Sequence, residues 1–153
     1  DKSGKFLPKS GRARFEVIEW LSFQMANIGP MFGQAHHFRE FAPKKLPYAI
    51  ERYSKEANRL YGVLDKRLKG RAYICNRYSI ADIASYAWVD FHAHLGVAIE
   101  DYPNVGRWHA RMAARPGVQR GMAVMGEWEA GVEKLLSARA QEALHGKAQY
   151  RKR

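Results

Sequence analysis

Apolar residues recur every three or four positions along most of this 153-residue chain, and nowhere do they alternate with polar ones as a half-buried strand requires. Residues 1–11 are polar and rich in Gly, Ser and Pro, and read as a linker. From Arg12 the period is helical: Phe15, Ile18, Ser22 and Met25 form one stripe, widened by Trp20 and Leu21. Gly29-Pro30 interrupts it, because proline removes a backbone donor and clashes with the preceding turn. Met31–Phe38 resumes as helix after the kink. Pro43–Pro47 is a turn, and proline suits the opening of the helix that follows, where its missing N–H costs nothing. That helix runs to about Lys69 on the stripe Ile50, Tyr53, Ala57, Leu60 or Tyr61, Leu64 and Leu68. Gly70 stands at the C-cap.

Tyr73–Arg77 reads as a loop, and the strongest local signal comes next. Ser79 can accept the N–H of Asp82, while the Asp82 carboxylate reaches back to the N–H of Ser79, a short-armed capping box. Tyr78 and Ile83 occupy the two positions of a hydrophobic staple. The helix continues through Ala84, Trp88, Phe91 and Leu95. Two more helices span Pro103–Ala114 and Pro116 to about Met125, and residues 126–153 read as a basic, amphipathic tail helix. Five to seven helices with short connections make this an all-α bundle.

Composition is consistent with that. The apolar share of 46%, with four Trp, eight Tyr and seven Phe, supports one packed core. Cys75 is the only cysteine, so no intrachain disulfide forms and a reducing, cytoplasmic setting is expected. No apolar run approaches the ~18 residues of a membrane span, and no signal-peptide pattern opens the chain. The formal charge is +11, from 26 basic and 15 acidic residues. Those charges are dispersed, the densest run being Lys147, Arg151, Lys152 and Arg153. No stacking motif accompanies them, so solubility and attraction of small anions are expected rather than specific nucleic-acid binding.

Three segments carry a family resemblance. Ser79-Ile80-Ala81-Asp82-Ile83-Ala84 resembles the capping box of the core helix in glutathione transferases. Tyr102-Pro103-Asn104-Val105 with Trp108, then Arg115-Pro116-Gly117-Val118, resembles a second run of that family. More specifically, Gly29-Pro30-Met31-Phe32-Gly33-Gln34-Ala35-His36-His37-Phe38, followed by Pro47–Tyr53, is similar to the bacterial nu-class enzymes. The resemblance implies the C-terminal helical domain of a glutathione transferase or glutathione-dependent disulfide-bond reductase, over residues 12–125. It further implies glutathione as co-substrate, a homodimer, and a thioredoxin-like N-terminal domain that this chain lacks. The chain starts at Asp1 rather than Met, within what looks like the interdomain linker, which adds to that expectation.

The resemblance also nominates site residues. Arg52 stands where nu-class enzymes use an arginine beside glutathione, and a planar guanidinium suits peptide carboxylates. Its bland alternative is a solvated arginine, or one paired with Glu56. Gln34 could donate to and accept from a bound peptide, or satisfy backbone freed at the Gly29-Pro30 break. Met31 and Phe32 suit a pocket wall or the core. His37 borders the site by its place in the motif. Trp88 follows Ala87, where relatives often carry Pro, so its helix need not kink and the pocket floor can differ. No catalytic residue is expected in this half. No metal is expected either: His36 and His37, or His92 and His94, point to different helix faces. Cys75 reads as an ordinary thiol. A competing reading from another class is a non-catalytic module of the same fold, binding an acidic partner such as RNA in a translation-type assembly.

Overall fold

The helix that begins at Gly11 does not stop at Gly29-Pro30. In the computed structural model, which describes residues 3–129 and 137–146, the backbone stays helical to Phe41. Helix α1 (Gly11–Phe23) widens into a π-helical turn at Gln24–Ile28, continues as α2 (Gly29–His36), and widens again at His37–Phe41. The Gly29 N–H bonds back to the Gln24 carbonyl, five residues earlier. Pro30 sits in the first turn of α2, where its missing N–H leaves no hydrogen bond broken. The expected kink is therefore absorbed by one wider turn.

The stripe read along α1 is corrected by burial. Phe15 and Met25 are 71% and 66% exposed and Ile18 is 37% exposed, while Val17, Gln24 and Ile28 are buried. An apolar stripe ordinarily faces its own core. Here the inward residues lie on another side of the same helix.

Helix α3 (Pro47–Leu68) opens at Pro47 and buries Ala57, Leu60, Tyr61, Leu64 and Leu68, all on the expected stripe. Each fully buried leucine contributes roughly 1.5–3 kcal/mol relative to exposure. Gly70 follows in the left-handed conformation at φ +71°. Two ring stacks set α2 antiparallel to α3: Phe32 on Tyr61 (5.2 Å) and Phe38 on Tyr53 (5.4 Å). The Tyr61 hydroxyl then donates to the Val89 carbonyl at 2.7 Å, joining α3 to α4 (Ile80–Asp90).

Helix α4 starts with both halves of the capping box. Ser79 Oγ accepts from the Ala81 N–H at 3.3 Å, and Asp82 Oδ2 accepts from the Ser79 N–H at 3.0 Å. The staple is corrected: Ile83 is 44% exposed, and Tyr78 packs edge-on against Phe6. The N-terminal segment, read as a plain linker, thus docks here, and the Phe6 carbonyl accepts the Ile80 N–H at 3.0 Å. A helix's first amides have no partner within the helix, and this one finds it in the preceding segment.

Beyond α4, short 3₁₀ turns at His92–Leu95 and Ile99–Asp101 lead to α5 (Pro103–Ala113). No residue of α5 caps it; Asp65 of α3 does, accepting from the Asn104 N–H at 2.7 Å and the Val105 N–H at 3.2 Å. Val105, Trp108 and Met112 face the core. The chain divides into two compact units, Asp1–Ala113 and Ala114–Arg153. The second holds α6 (Pro116–Glu129) and α7 (Ala138–His145). Ser137 Oγ caps α7 by accepting from the Ala140 N–H. The basic run Lys147–Arg153 lies outside the described residues. Among the described residues no strand forms, and the fold is all-helical, as the residue pattern predicts.

Candidate functional site

The segment Gly29–Phe38 presents three faces, and the nominated residues divide among them. Phe32 points inward, fully buried on Tyr61. It belongs to the core and does not serve as a pocket wall, because no part of its ring is left for a ligand. Gln34 points outward and is exposed, and Met31 is half-buried. His37, also half-buried, opens the second π turn with its ring edge-on to Phe38 at 5.2 Å.

The third face carries Gly29 and Gly33, and Trp88 of α4 lies across both. A Cβ at Gly29 would stand 3.6 Å from Trp88 Nε1, and one at Gly33 would stand 3.6 Å from Cη2. The glycines let the indole come close to α2, and Trp88 remains 36% exposed. α4 runs helical through Ala87. Behind the indole, Gln24 is 4% exposed, and its Oε1 has no hydrogen-bond partner among the described residues. Gln24 carries no local sequence signal, since a polar residue off the apolar stripe of a helix is ordinarily solvated.

Arg52 lies on the exposed side of α3, one residue from the Tyr53–Phe38 stack and so level with the C-terminal end of the α2 run. Its alternative partner is taken: both Glu56 oxygens accept from Arg59, at 2.8 and 2.7 Å. Arg59 with its hydrogen bonds holds the Glu56 carboxyl below its ordinary range, and Arg52 adds only a weaker field. The Arg52 guanidinium makes no hydrogen bond or ion pair among the described residues. It is exposed to solvent.

Four further titratable groups sit in packed surroundings. His36 packs between Phe41 and Phe91 beside His94, and burial lowers its affinity for a proton. His109 Nε2 and Asp90 Oδ1 lie 2.6 Å apart, with the imidazole stacked on Tyr86. Cys75 is buried and its thiol is pushed up to about 11, so it carries little thiolate. Asp82, the acid beside the core helix, accepts from Ile74 N, Trp108 Nε1, Ser79 N and Ser79 Oγ. Burial holds its carboxyl above the usual range despite those four donors. A cavity of about 30 Å³ lies under Phe6 and Pro8, beside Cys75 and Ser79. It has room for about one water and touches none of the nominated ligand residues. Apart from the buried Phe32, those residues are exposed or half-buried and lie on different sides of α2, α3 and α4.

Comparison with known proteins gives these residues a context. Residues 28–116 match the model of the glutathione S-transferase C-terminal domain. The disulfide-bond oxidoreductase YfcG of Escherichia coli is 44% identical over 117 residues, 76% of this chain and 54% of that protein. The disulfide-bond oxidoreductase YghU of the same organism is 38% identical over 133 residues, 81% of this chain and 46% of that one. A transferase family member from Pseudomonas fluorescens, solved with two glutathiones bound, superposes with a TM-score of 0.73 at 46% identity. That match covers 79% of this chain and 57% of the other. Ure2p in complex with glutathione matches with a TM-score of 0.69 at 31% identity, over 73% and 56% of the two chains. The chain spans about half the length of the curated relatives it matches. By the span of the family match and the architecture it covers, this chain belongs to the glutathione S-transferase C-terminal domain family.

Proposed function

We propose that this chain is the helical half of a glutathione-dependent disulfide reductase or transferase, and that a thioredoxin-like half, joined through residues 1–11, completes it. The observation that carries the reading is the 46% identity with a transferase holding two glutathiones. A further relative, from Pseudomonas putida, holds one glutathione disulfide. A site of that capacity fits thiol–disulfide exchange. A glutathione thiolate attacks one sulfur of the substrate disulfide, forms a mixed disulfide and releases the other sulfur as thiolate. A second glutathione thiolate then resolves the mixed disulfide, giving glutathione disulfide and the reduced substrate.

In this division of labour the helical half binds and shapes. Arg52 supplies a charge-assisted contact to a glutathione carboxylate, Gln34 a hydrogen bond, and Trp88 with Met31 and His37 the apolar border. Thiolate stabilisation falls to the thioredoxin-like half. The exposed Phe15, Ile18 and Met25 support a large apolar surface for that half to cover.

The test is a titration of the ¹⁵N-labelled chain with glutathione disulfide, followed by amide shifts. Shifts should gather on α2 and the first turns of α3, and Arg52→Ala should weaken them roughly tenfold or more, as loss of a charged hydrogen bond does. Identical titrations of the two proteins would remove Arg52 from the site. The chain alone should reduce a small disulfide with glutathione no faster than buffer does. Enzyme-like turnover would overturn the division of labour.

A further inference from the structure

Gln24 is a buried polar side chain that neither the core nor any cap explains. It opens the first π turn, a feature that often marks functional sites. Its Oε1 is sealed from solvent without a donor. Beside Gly29 stands a donor, the Nε1–H of the part-exposed Trp88, which has no acceptor among the described residues. Both side chains border the space beside Gly29. A Cβ on residue 29 would lie 3.2 Å from Gln24 Nε2 and 3.6 Å from Trp88 Nε1. Glycine at 29 leaves that space to them. A half-turn of the amide about Cγ–Cδ exchanges its oxygen and nitrogen, turning the acceptor toward the indole side and placing the NH2 group where Oε1 stood.

We propose that Gln24 is a positioning residue for Trp88, its amide oxygen accepting the indole N–H across Gly29. The bond fixes the plane of an otherwise part-exposed ring. A fixed plane discriminates: flat or apolar groups on the disulfide or electrophile meet it face-on, and bulky branched groups do not. This use of the ring rests on the reading of Trp88 as part of the substrate border. The bond itself does not.

Indole ¹⁵N–¹H spectra of the full chain test it. The chain has four tryptophans, and Trp88→Phe identifies the signal. Trp108, whose Nε1 donates to Asp82 at 2.9 Å, is the internal standard for a bonded indole. In the wild type the Trp88 proton should resonate downfield and exchange with solvent roughly fivefold or more slowly than in Gln24→Met, the factor a net hydrogen bond gives. The Trp108 signal should stay in place. An unchanged Trp88 signal in a folded Gln24→Met protein overturns the proposal. So does free-indole exchange at Trp88 in the wild type, a measurement that needs no variant. Neither readout uses glutathione, so failure of the proposed activity and failure of this bond are separable.

Discussion

Removing the Asp82 carboxylate tests how one buried acid ties three parts of the fold together. An ordinary helix cap lost to alanine costs about 1 kcal/mol. Asp82 does more than cap. Its Oδ1 accepts from the Ile74 N–H and from Trp108 Nε1–H, both at 2.9 Å, and its Oδ2 accepts from the Ser79 N–H at 3.0 Å. Ile74, Ser79 and Trp108 are themselves buried, so Asp82→Ala strands three donors away from water. Each stranded donor costs about 1–3 kcal/mol. The sum is offset in part because the variant no longer holds a carboxylate in a dry site, the burial that raises its pKa. The net expectation is about 3–5 kcal/mol, the range for breaking a buried network. Urea unfolding of wild type and variant measures it, with equal slopes showing that the same surface is exposed in both. A loss near 1 kcal/mol would refute the reasoning, since Ile74 and Trp108 would then have found other acceptors. Trp108→Phe in the same background sharpens the result. With one stranded donor gone, the second substitution should cost less in Asp82→Ala than in the wild type.

Two further outcomes follow from local geometry. Gly96 and Gly70 share φ +71°, but only Gly96 has the Arg39 guanidinium against it, 2.7 Å from where a Cβ would stand. Gly70→Ala should cost about 1–2 kcal/mol of left-handed strain in thermal unfolding. Gly96→Ala should cost about 1–2 kcal/mol more as Arg39 loses its bond to the His94 carbonyl, and equal losses would remove Arg39 from the account. At His36, burial and then His94 hold the pKa below the ordinary 6.5, with His37 acting the same way and Glu40 opposing. The unfolded chain therefore takes up the proton first, and stability present above pH 6.5 is lost as pH falls through the lowered value. His36→Leu should flatten that part of the pH–stability curve. A curve that keeps the wild-type slope would assign the loss to other groups.

How far the residues foretold this arrangement depended on where the information was local. α3 and the start of α4 were legible because their signals lie within a few residues: Pro47, the stripe to Leu68, Gly70, and the Ser79–Asp82 pair. α1 was misread because periodicity reports an apolar face without saying what covers it. Phe15, Ile18 and Met25 face away from this unit's core, and Val17, Gln24 and Ile28 carry the inward side. Phe32 followed the same logic in reverse, an aromatic within the site motif that turned out to belong to the core. For Arg52 the local pattern allowed a solvated side chain, a Glu56 partner or a ligand contact, and the structure removes only the second, since Arg59 engages Glu56. The Asp82–Trp108 bond spans 26 residues and the Asp65 cap 39, and no local pattern announces such pairings. Gln24 gave no signal, because a polar residue on a helix is ordinarily a solvated one.

The π turn at Gln24–Ile28 makes the phase of everything after it depend on a single residue. One residue of α-helix is about 100° of rotation. Deleting one position between Gln24 and Ile28 would restore an ordinary helix but turn α2 by that angle against α1. Phe32 would leave Tyr61, the glycine pair would swing out from under Trp88, and Pro30 would face a carbonyl it now avoids, at about 3 kcal/mol. Point substitutions on the outer side of α1 leave this phase untouched, whereas a one-residue deletion at the turn dismantles the inner side at once. Length at this position is therefore a tighter constraint on the domain than the identity of most side chains that line it.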